Sequence, residues 1–257
     1  MTHVKAAIKL MLVMGWSLLL VPPQLLVLLC TRGLAAFWIP QLWHRGLCFV
    51  LGLKVEVKGQ PVRGRHVVYV SNHVSHFDIP VIGRTLRAAF IAKGEMQSWP
   101  VAGFMARLQQ TVFISRASRD GVAVTRMVAA VLAQGRSLVL FPEGTTSGGV
   151  DVAPFKSSLF AILFPPEGGD WLVQPFTIRV ERIGGRPVTD QDTRDHYAYY
   201  GAMPAGPHAW NFLRGSGATV RMLFHPPIAS GPQHDRKSLA ALTREIVASG
   251  LPAVTSP

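Results

Sequence analysis

From residue 51 onward, short apolar runs alternate with longer stretches in which apolar positions recur every three or four residues. The short runs predict strands at 55–57, 66–71, 88–92, 111–115, 137–141, 172–180 and 219–225. The helical spacings predict helices at about 79–87, 98–108, 120–134, 155–164 and 236–249. In the third helix, Val124, Met127, Val128, Val131 and Leu132 share one face and Gly135 closes the helix, a stripe that reads as core packing. The run Ser137-Leu138-Val139-Leu140-Phe141 is apolar after its first residue, as expected of a strand covered on both faces. Together these elements predict an α/β fold with a mixed, largely buried β-sheet flanked by helices. Residues 183–218, rich in Gly, Pro and polar residues, predict a long irregular excursion, and residues 251–257 a loose tail.

The first 50 residues follow another pattern. Leu10 to Thr31 is an uncharged stretch of 22 residues, long enough to cross a bilayer core. Lys5 and Lys9 precede it, Arg32 follows it, and Trp16, Trp38 and Trp43 suit a membrane interface. Pro22-Pro23 falls in the middle and argues against one straight helix. Two readings compete: a kinked transmembrane span, or two re-entrant helices dipping into one leaflet with the prolines at the bend. Either makes residues 1–50 a membrane-anchoring helix or helical hairpin ahead of a domain at 51–250. A cleaved signal peptide is disfavoured, because apolar sequence continues through Phe37-Trp38-Ile39 and Leu47-Cys48-Phe49-Val50.

Composition sharpens the membrane reading. The 257 residues are 49% apolar and only 16% charged, with a mean hydropathy of +0.27, too apolar for an ordinary soluble protein. A net charge of +12 and a pI near 10.5 call for an anionic partner, either nucleic acid or a membrane face. The chain has no aromatic RNA-binding signature, helix-turn-helix pattern or zinc spacing, so nucleic acid and metal are not expected and the lipid bilayer is. Arg63, Arg65, Arg84, Arg87 and Arg107 are candidates for the basic surface. The only cysteines, Cys30 and Cys48, are expected to be buried thiols without a disulfide, which fits a reducing cytosolic side.

Candidate chemistry sits where predicted strands end. In Asn72-His73-Val74-Ser75-His76-Phe77-Asp78, a histidine stands five positions before an aspartate. A carboxylate behind an imidazole fixes its tautomer and stabilises the imidazolium, which makes a general base. Asp78 also precedes Ile79-Pro80, so a helix N-cap is the competing reading. Arg116 follows Phe113-Ile114-Ser115, with Arg119 nearby, and its fork suits phosphate or carboxylate. Phe141-Pro142-Glu143-Gly144-Thr145-Thr146-Ser147 supplies a carboxylate, a glycine and three hydroxyls at a strand exit. Lys156, opening the next helix, can hold an anion. There is no G-x-S-x-G elbow, H-E-x-x-H, P-loop or G-x-G-x-x-G.

Those blocks, with Val173-Gln174-Pro175-Phe176 as a fourth, stand in an order that resembles the glycerolipid acyltransferase family, best known through 1-acylglycerol-3-phosphate acyltransferase. The resemblance covers about residues 50–230. It implies transfer of a fatty acyl group from acyl carrier protein or acyl-CoA to a lyso-lipid hydroxyl, with no cofactor, metal or covalent intermediate. It implies that His73 is the base, Asp78 orients it, and Arg116, Glu143 and Gly144 line the acceptor head-group pocket; Thr145, Thr146 and Lys156 remain substrate-binding candidates on their own chemistry. Two blocks depart from the family pattern: Thr146 replaces an arginine of the third, and Ser115 and Gln110 alter the second. Longer matches, among them Asp78-Ile79-Pro80-Val81, Leu108-Gln109-Gln110-Thr111-Val112-Phe113 and Tyr199-Tyr200-Gly201, resemble the bacterial lyso-ornithine lipid O-acyltransferase branch. That acceptor has no phosphate, which suits Thr146; lysophosphatidic acid or another lysophospholipid is the alternative. The implied location is the bacterial inner membrane, with the catalytic domain on its cytosolic face.

Overall fold

The computed structural model describes residues 2–63, 67–114, 121–165 and 171–252. The chain opens with α1 (Thr2–Cys30) and α2 (Trp38–Leu51). It continues through β1 (Leu53–Lys58), β2 (Val67–Ser71), α3 (Asp78–Gly83), β3 (Ala88–Lys93), α4 (Pro100–Leu108), β4 (Val112–Ile114), α5 (Gly121–Ala133), β5 (Ser137–Leu140) and α6 (Ser157–Phe160). Then come β6 (Leu172–Ile183), β7 (Arg186–Pro187), α7 (Gln191–Arg194), α8 (Ala205–Arg214), β8 (Ala218–Phe224), β9 (Ile228–Ala229) and α9 (Arg236–Ser249).

Among the described residues these strands form one mixed sheet, ordered β1-β8-β6-β2-β5-β3-β4, with β7 and β9 paired to β6. β2 runs parallel to both β5 and β6, and β3 runs parallel to β5 and β4. Only β8, β7 and β9 run antiparallel to β6. The carboxyl ends of β2, β5, β3 and β4 therefore share one edge, where open α/β sheets place their ligands. Every residue of β2 and β5 is buried, so the continuous apolar runs reflect helices on both faces. Tyr69, Phe176 and Ile178 pack with Ile82, Tyr197 and Phe212 on one face. Val68, Leu138 and Leu140 pack with Val128, Leu132, Phe160 and Leu239 on the other.

Two buried amides splice the sheet beyond its ladders. Asn72 donates from Nδ2 to the Ile178 carbonyl at 2.9 Å and accepts the Ile178 N–H at 2.8 Å. It thereby continues the β2–β6 pairing by side chain where β2 has ended. Gln174 donates to the carbonyls of Gln60 and His225 and accepts from the Val62 N–H.

Three expectations change. The predicted helix at 155–164 is split into α6 and a 3₁₀ turn, Ala161–Leu163. The stretch 183–218 is more ordered than expected: it holds β7, α7 and α8, and α8 buries Phe212 and Leu213. In the α5 stripe, Val128 and Leu132 are core, but Met127 is 40% exposed. The expected strand ends at His66 and Ser115, and Arg65 of the basic set, lie outside the described residues.

The N-terminus also departs from expectation. α1 runs unbroken through Pro22-Pro23. Flanking contacts hold it on both sides of the prolines. Trp16 donates to the Trp43 carbonyl and Trp43 to Ser17 Oγ before them; Gln24 donates to the carbonyls of Ala36 and Leu108 after them. Tertiary bonds thus override the local helix-breaking tendency. The chain reverses instead at 31–37, through a 3₁₀ turn, Leu34–Phe37. Cys30 is exposed, not buried as expected, while Cys48 is buried; both are free. α1 is long and apolar enough to cross a membrane, yet Ala6 and Cys48 belong to the same core as Tyr69. The outer face of α1 leaves Val4, Met11, Leu18, Leu26 and Leu29 exposed.

α2 docks on α3 through His44, which is 2% exposed and bonds Gln109 Oε1 at 2.7 Å. Burial pushes the His44 imidazole down to about 4, against the pull of that bond. The unfolded chain therefore takes up the proton first, and stability should fall as pH drops from about 6.5 towards 4, by up to about 3 kcal/mol from this group. Thermal unfolding as a function of pH should show that loss, and His44→Gln, which has no proton to gain, should lessen it but leave the part due to His76, which burial also lowers to about 4.

Candidate active site

The loop after β2 is built around one carboxylate. Asp78 is fully buried at the start of α3, and Phe77, not Asp78, is the N-cap residue. Its Oδ2 accepts from His73 Nδ1 at 2.8 Å, from the Val74 N–H at 2.7 Å and from the Ser75 N–H at 3.0 Å. Its Oδ1 accepts from the Tyr197 hydroxyl at 2.8 Å. The N-cap reading is thereby replaced: the carboxylate faces back into the preceding loop, not forward into the helix. Burial and the Asp78 charge hold the Tyr197 phenol well above its ordinary range, so it stays a donor. An anion with four donors is stable without solvent, which the apolar surroundings withhold.

The loop after β5 clamps His73 from the other side. Glu143 Oε1 accepts the His73 N–H at 2.7 Å, and Oε2 accepts the Ala153 N–H at 3.1 Å. The Ser147 N–H donates to the His73 carbonyl at 2.8 Å. The His73 ring stacks on Phe141, with centroids 4.0 Å apart and planes 11° from parallel. His73 is thus fixed at its amide, its carbonyl, Nδ1 and one ring face. Since an ionised carboxylate can only accept, Nδ1 carries the proton and Nε2 presents a lone pair. The His73 side chain is 19% exposed, so that lone pair can meet a ligand. Arranged this way, His73 can take a proton from a hydroxyl.

Glu143 lies 2% exposed with both oxygens spent on backbone amides. In this structure it braces the His73 backbone. Burial pushes its carboxyl up, partly offset by those two amide bonds. Gly144 adopts φ +69°, and a Cβ there would meet Lys156 Nζ at 2.6 Å, so the glycine lets the ammonium lie over the turn. Thr145 is exposed and Thr146 half-buried, and no hydrogen bond among the described residues occupies either hydroxyl. Lys156 is exposed beside them. Arg116 and Arg119 lie outside the described residues.

Tyr197 is the site residue that sequence reasoning missed. It comes from a stretch read as irregular, 119 positions from its partner. Its only local signal was its place beside the Tyr199-Tyr200-Gly201 match, and the Tyr199 N–H indeed donates to the Val74 carbonyl. His76 is a different case from His73. It packs against Phe77, Tyr199 and His208, and burial, with the His208 charge adding, pushes it down to about 4, so it stays neutral.

Known proteins share this arrangement of sequence and fold. A family model described as Acyltransferase matches residues 54–179. The lyso-ornithine lipid O-acyltransferase of Rhizobium meliloti is 35% identical over 244 residues, covering 93% of this chain and 83% of that protein. The protein of the same name from Brucella abortus is 36% identical over 232 residues, 87% of this chain and 85% of that one. A 1-acyl-sn-glycerol-3-phosphate acyltransferase of Neisseria meningitidis is 39% identical over 118 residues, 45% of this chain and 46% of its own length. In fold, the chain is similar to the crystal structure of the 1-acyl-sn-glycerophosphate acyltransferase of Thermotoga maritima, with a TM-score of 0.65 at 22% identity, covering 96% of this chain and 95% of that one.

Glu143→Ala would leave the buried His73 and Ala153 amides unpaired, at a cost of about 2–5 kcal/mol. Hydrogen–deuterium exchange should then speed up sharply in the peptide spanning 72–78 while β6 stays protected. Unchanged exchange at 72–78 would show that Glu143 does not hold the loop.

Proposed function

The chain belongs to the acyltransferase family that includes lyso-ornithine lipid and 1-acylglycerol-3-phosphate acyltransferases, and on that premise we propose that it transfers a fatty acyl group from a thioester to the hydroxyl of lyso-ornithine lipid. The observation that carries the reading is the His73–Asp78 pair, with Nδ1 committed to a fully buried carboxylate and Nε2 open. The acceptor hydroxyl gives its proton to His73 Nε2 as its oxygen attacks the thioester carbonyl. The tetrahedral intermediate collapses, the thiolate leaves, and the imidazolium returns the proton to it. Asp78, held by Tyr197 and two loop amides, stabilises the imidazolium throughout. No cofactor is needed beyond the acyl donor, acyl carrier protein or acyl-CoA.

Two observations favour the lyso-ornithine acceptor. Identity to the enzymes of that name extends over most of the chain. Thr146 puts a neutral hydroxyl where the family pattern has an arginine, which suits a head group without phosphate. Lysophosphatidic acid is the second reading, favoured by the shorter similarity to the Neisseria enzyme.

The acceptor is a membrane lipid, and α1 supplies the seat. Its exposed face is apolar for most of its length, about 43 Å at 1.5 Å per residue. Both ends are tied to the α/β domain: Lys9 donates to the Gly215 carbonyl at 3.1 Å, and Gln24 to the Leu108 carbonyl at 2.7 Å. A helix bound to one domain at both ends lies along the bilayer surface on which that domain rests. Of the two sequence readings this favours the one-leaflet anchor. Donor thioesters are cytosolic, so the seat is the cytosolic face of the bacterial inner membrane.

Membranes from a host lacking its own lyso-lipid acyltransferases, expressing this chain, should convert lyso-ornithine lipid to ornithine lipid when an acyl thioester is supplied. His73→Ala should lower that rate by roughly 10²- to 10⁴-fold. Thr146→Arg should shift preference towards lysophosphatidic acid. Wild-type conversion of lysophosphatidic acid alone would establish the second reading, and full activity of His73→Ala would remove the base.

A further inference from the structure

Outside the catalytic loops, a groove of about 670 Å³ opens along the edge strand β4. That volume falls within the usual range for small-ligand sites. Part of its lining is apolar: Leu25, Leu28 and Leu29 of α1 face Phe104 of α4 and Met127 and Val131 of α5. Leu25 and Leu29 are among the leucines that α1 leaves exposed, Leu28 is half-buried, and Met127 is where the α5 stripe fails to close. The rest is polar and basic, with Arg32, Arg107, Gln110, Thr111 and Arg136.

The polar part is built but unsatisfied. Arg136 is 8% exposed; its Nη2 donates to the Gln110 carbonyl at 3.1 Å, and its buried Nε has no acceptor. Both side-chain atoms of Gln110 and the Thr111 hydroxyl are likewise buried without a partner. Among the described residues no carboxylate pairs with Arg32, Arg107 or Arg136. Burial and the nearby Arg32 charge both weaken the hold of Arg136 on its proton. A buried guanidinium facing a second cation is costly unless an anion joins them.

An apolar trough that ends on unpaired buried arginine, continuous with the membrane-facing side of α1, matches one class of molecule. We propose that this groove binds an anionic bilayer lipid, with an acyl chain along the α1 leucines and its phosphate against Arg136 and Arg32. The site is separate from the catalytic one. β4 lies three strands from β2, about 14 Å away at roughly 4.8 Å per strand. Arg136 precedes β5, at the sheet edge opposite to the one that carries His73 and Glu143. Among the described residues, none of the proposed catalytic or acceptor-binding ones lines it. The bound lipid would neutralise Arg136 and lock the end of α1 against α4 and α5, coupling the seat of the protein to the anionic lipid content of the leaflet.

The test uses the full-length His73→Ala protein in neutral detergent, so that acyl transfer plays no part. Dioleoyl phosphatidylglycerol, dioleoyl phosphatidylcholine and inorganic phosphate are titrated separately, read by thermal shift and by lipid retention in native mass spectrometry. Phosphatidylglycerol should raise Tm and leave one lipid bound, while phosphatidylcholine and phosphate should do neither. Arg32→Glu, an exposed change that the fold tolerates, should weaken phosphatidylglycerol binding by roughly tenfold or more, and Arg136→Gln should remove it. Equal retention of phosphatidylcholine would leave only an apolar groove, and an equal shift with phosphate would leave only a free-anion site. Phosphatidylglycerol affinity unchanged by Arg32→Glu would place the lipid elsewhere, even if Arg136→Gln fails to fold.

Discussion

The buried Asp78 carboxylate is the constraint around which the rest of the site is arranged. A negative charge with no solvent contact has to find its donors inside the protein. Two come from loop amides three and four residues earlier, one from an imidazole and one from a phenol far along the chain. Meeting that demand folds the 72–78 loop back on itself and sets the tautomer of His73. It also ties the segment after α7 to the 72–78 loop, through the Tyr197 hydroxyl and the Tyr199 N–H. The orientation proposed to make His73 a base is thus a by-product of satisfying a buried anion, and the β5 loop then holds its backbone in place.

The membrane seat proposed for α1 rests on a second constraint. α1 has more apolar surface than the α/β domain can cover, yet its polar groups are bonded to that domain at both ends. Water on the outer face would be costly and a perpendicular crossing would break those bonds. In the proposed function, lying in the interface satisfies both, and would bring the lipid acceptor to the sheet edge that carries His73 and Asp78.

Much of this was legible in the sequence, and the parts that were not share a cause. The strands at 66–71 and 137–141 read clearly because both faces are covered, so apolar character was continuous rather than alternating. His73, Asp78 and Glu143 read clearly because they lie on short loops at strand exits. Tyr197 was invisible because its role depends on a contact across more than a hundred residues. The unbroken α1 was misjudged because the Trp16–Trp43 and Gln24–Leu108 bonds, which offset Pro22-Pro23, are tertiary. The capping reading of Asp78 was reasonable locally and lost to donors that only the folded loop presents. The same holds for Glu143: its spacing announced a polar group near the site, but not that its partners would be backbone amides.

The most direct test of the central claim is a double-mutant cycle on acyl transfer to lyso-ornithine lipid, comparing His73→Ala, Asp78→Asn and the two combined. If Asp78 acts through the imidazole, the double variant should be no slower than His73→Ala alone. If the two losses multiply, Asp78 acts independently of His73 and the buried-anion account of the base is wrong.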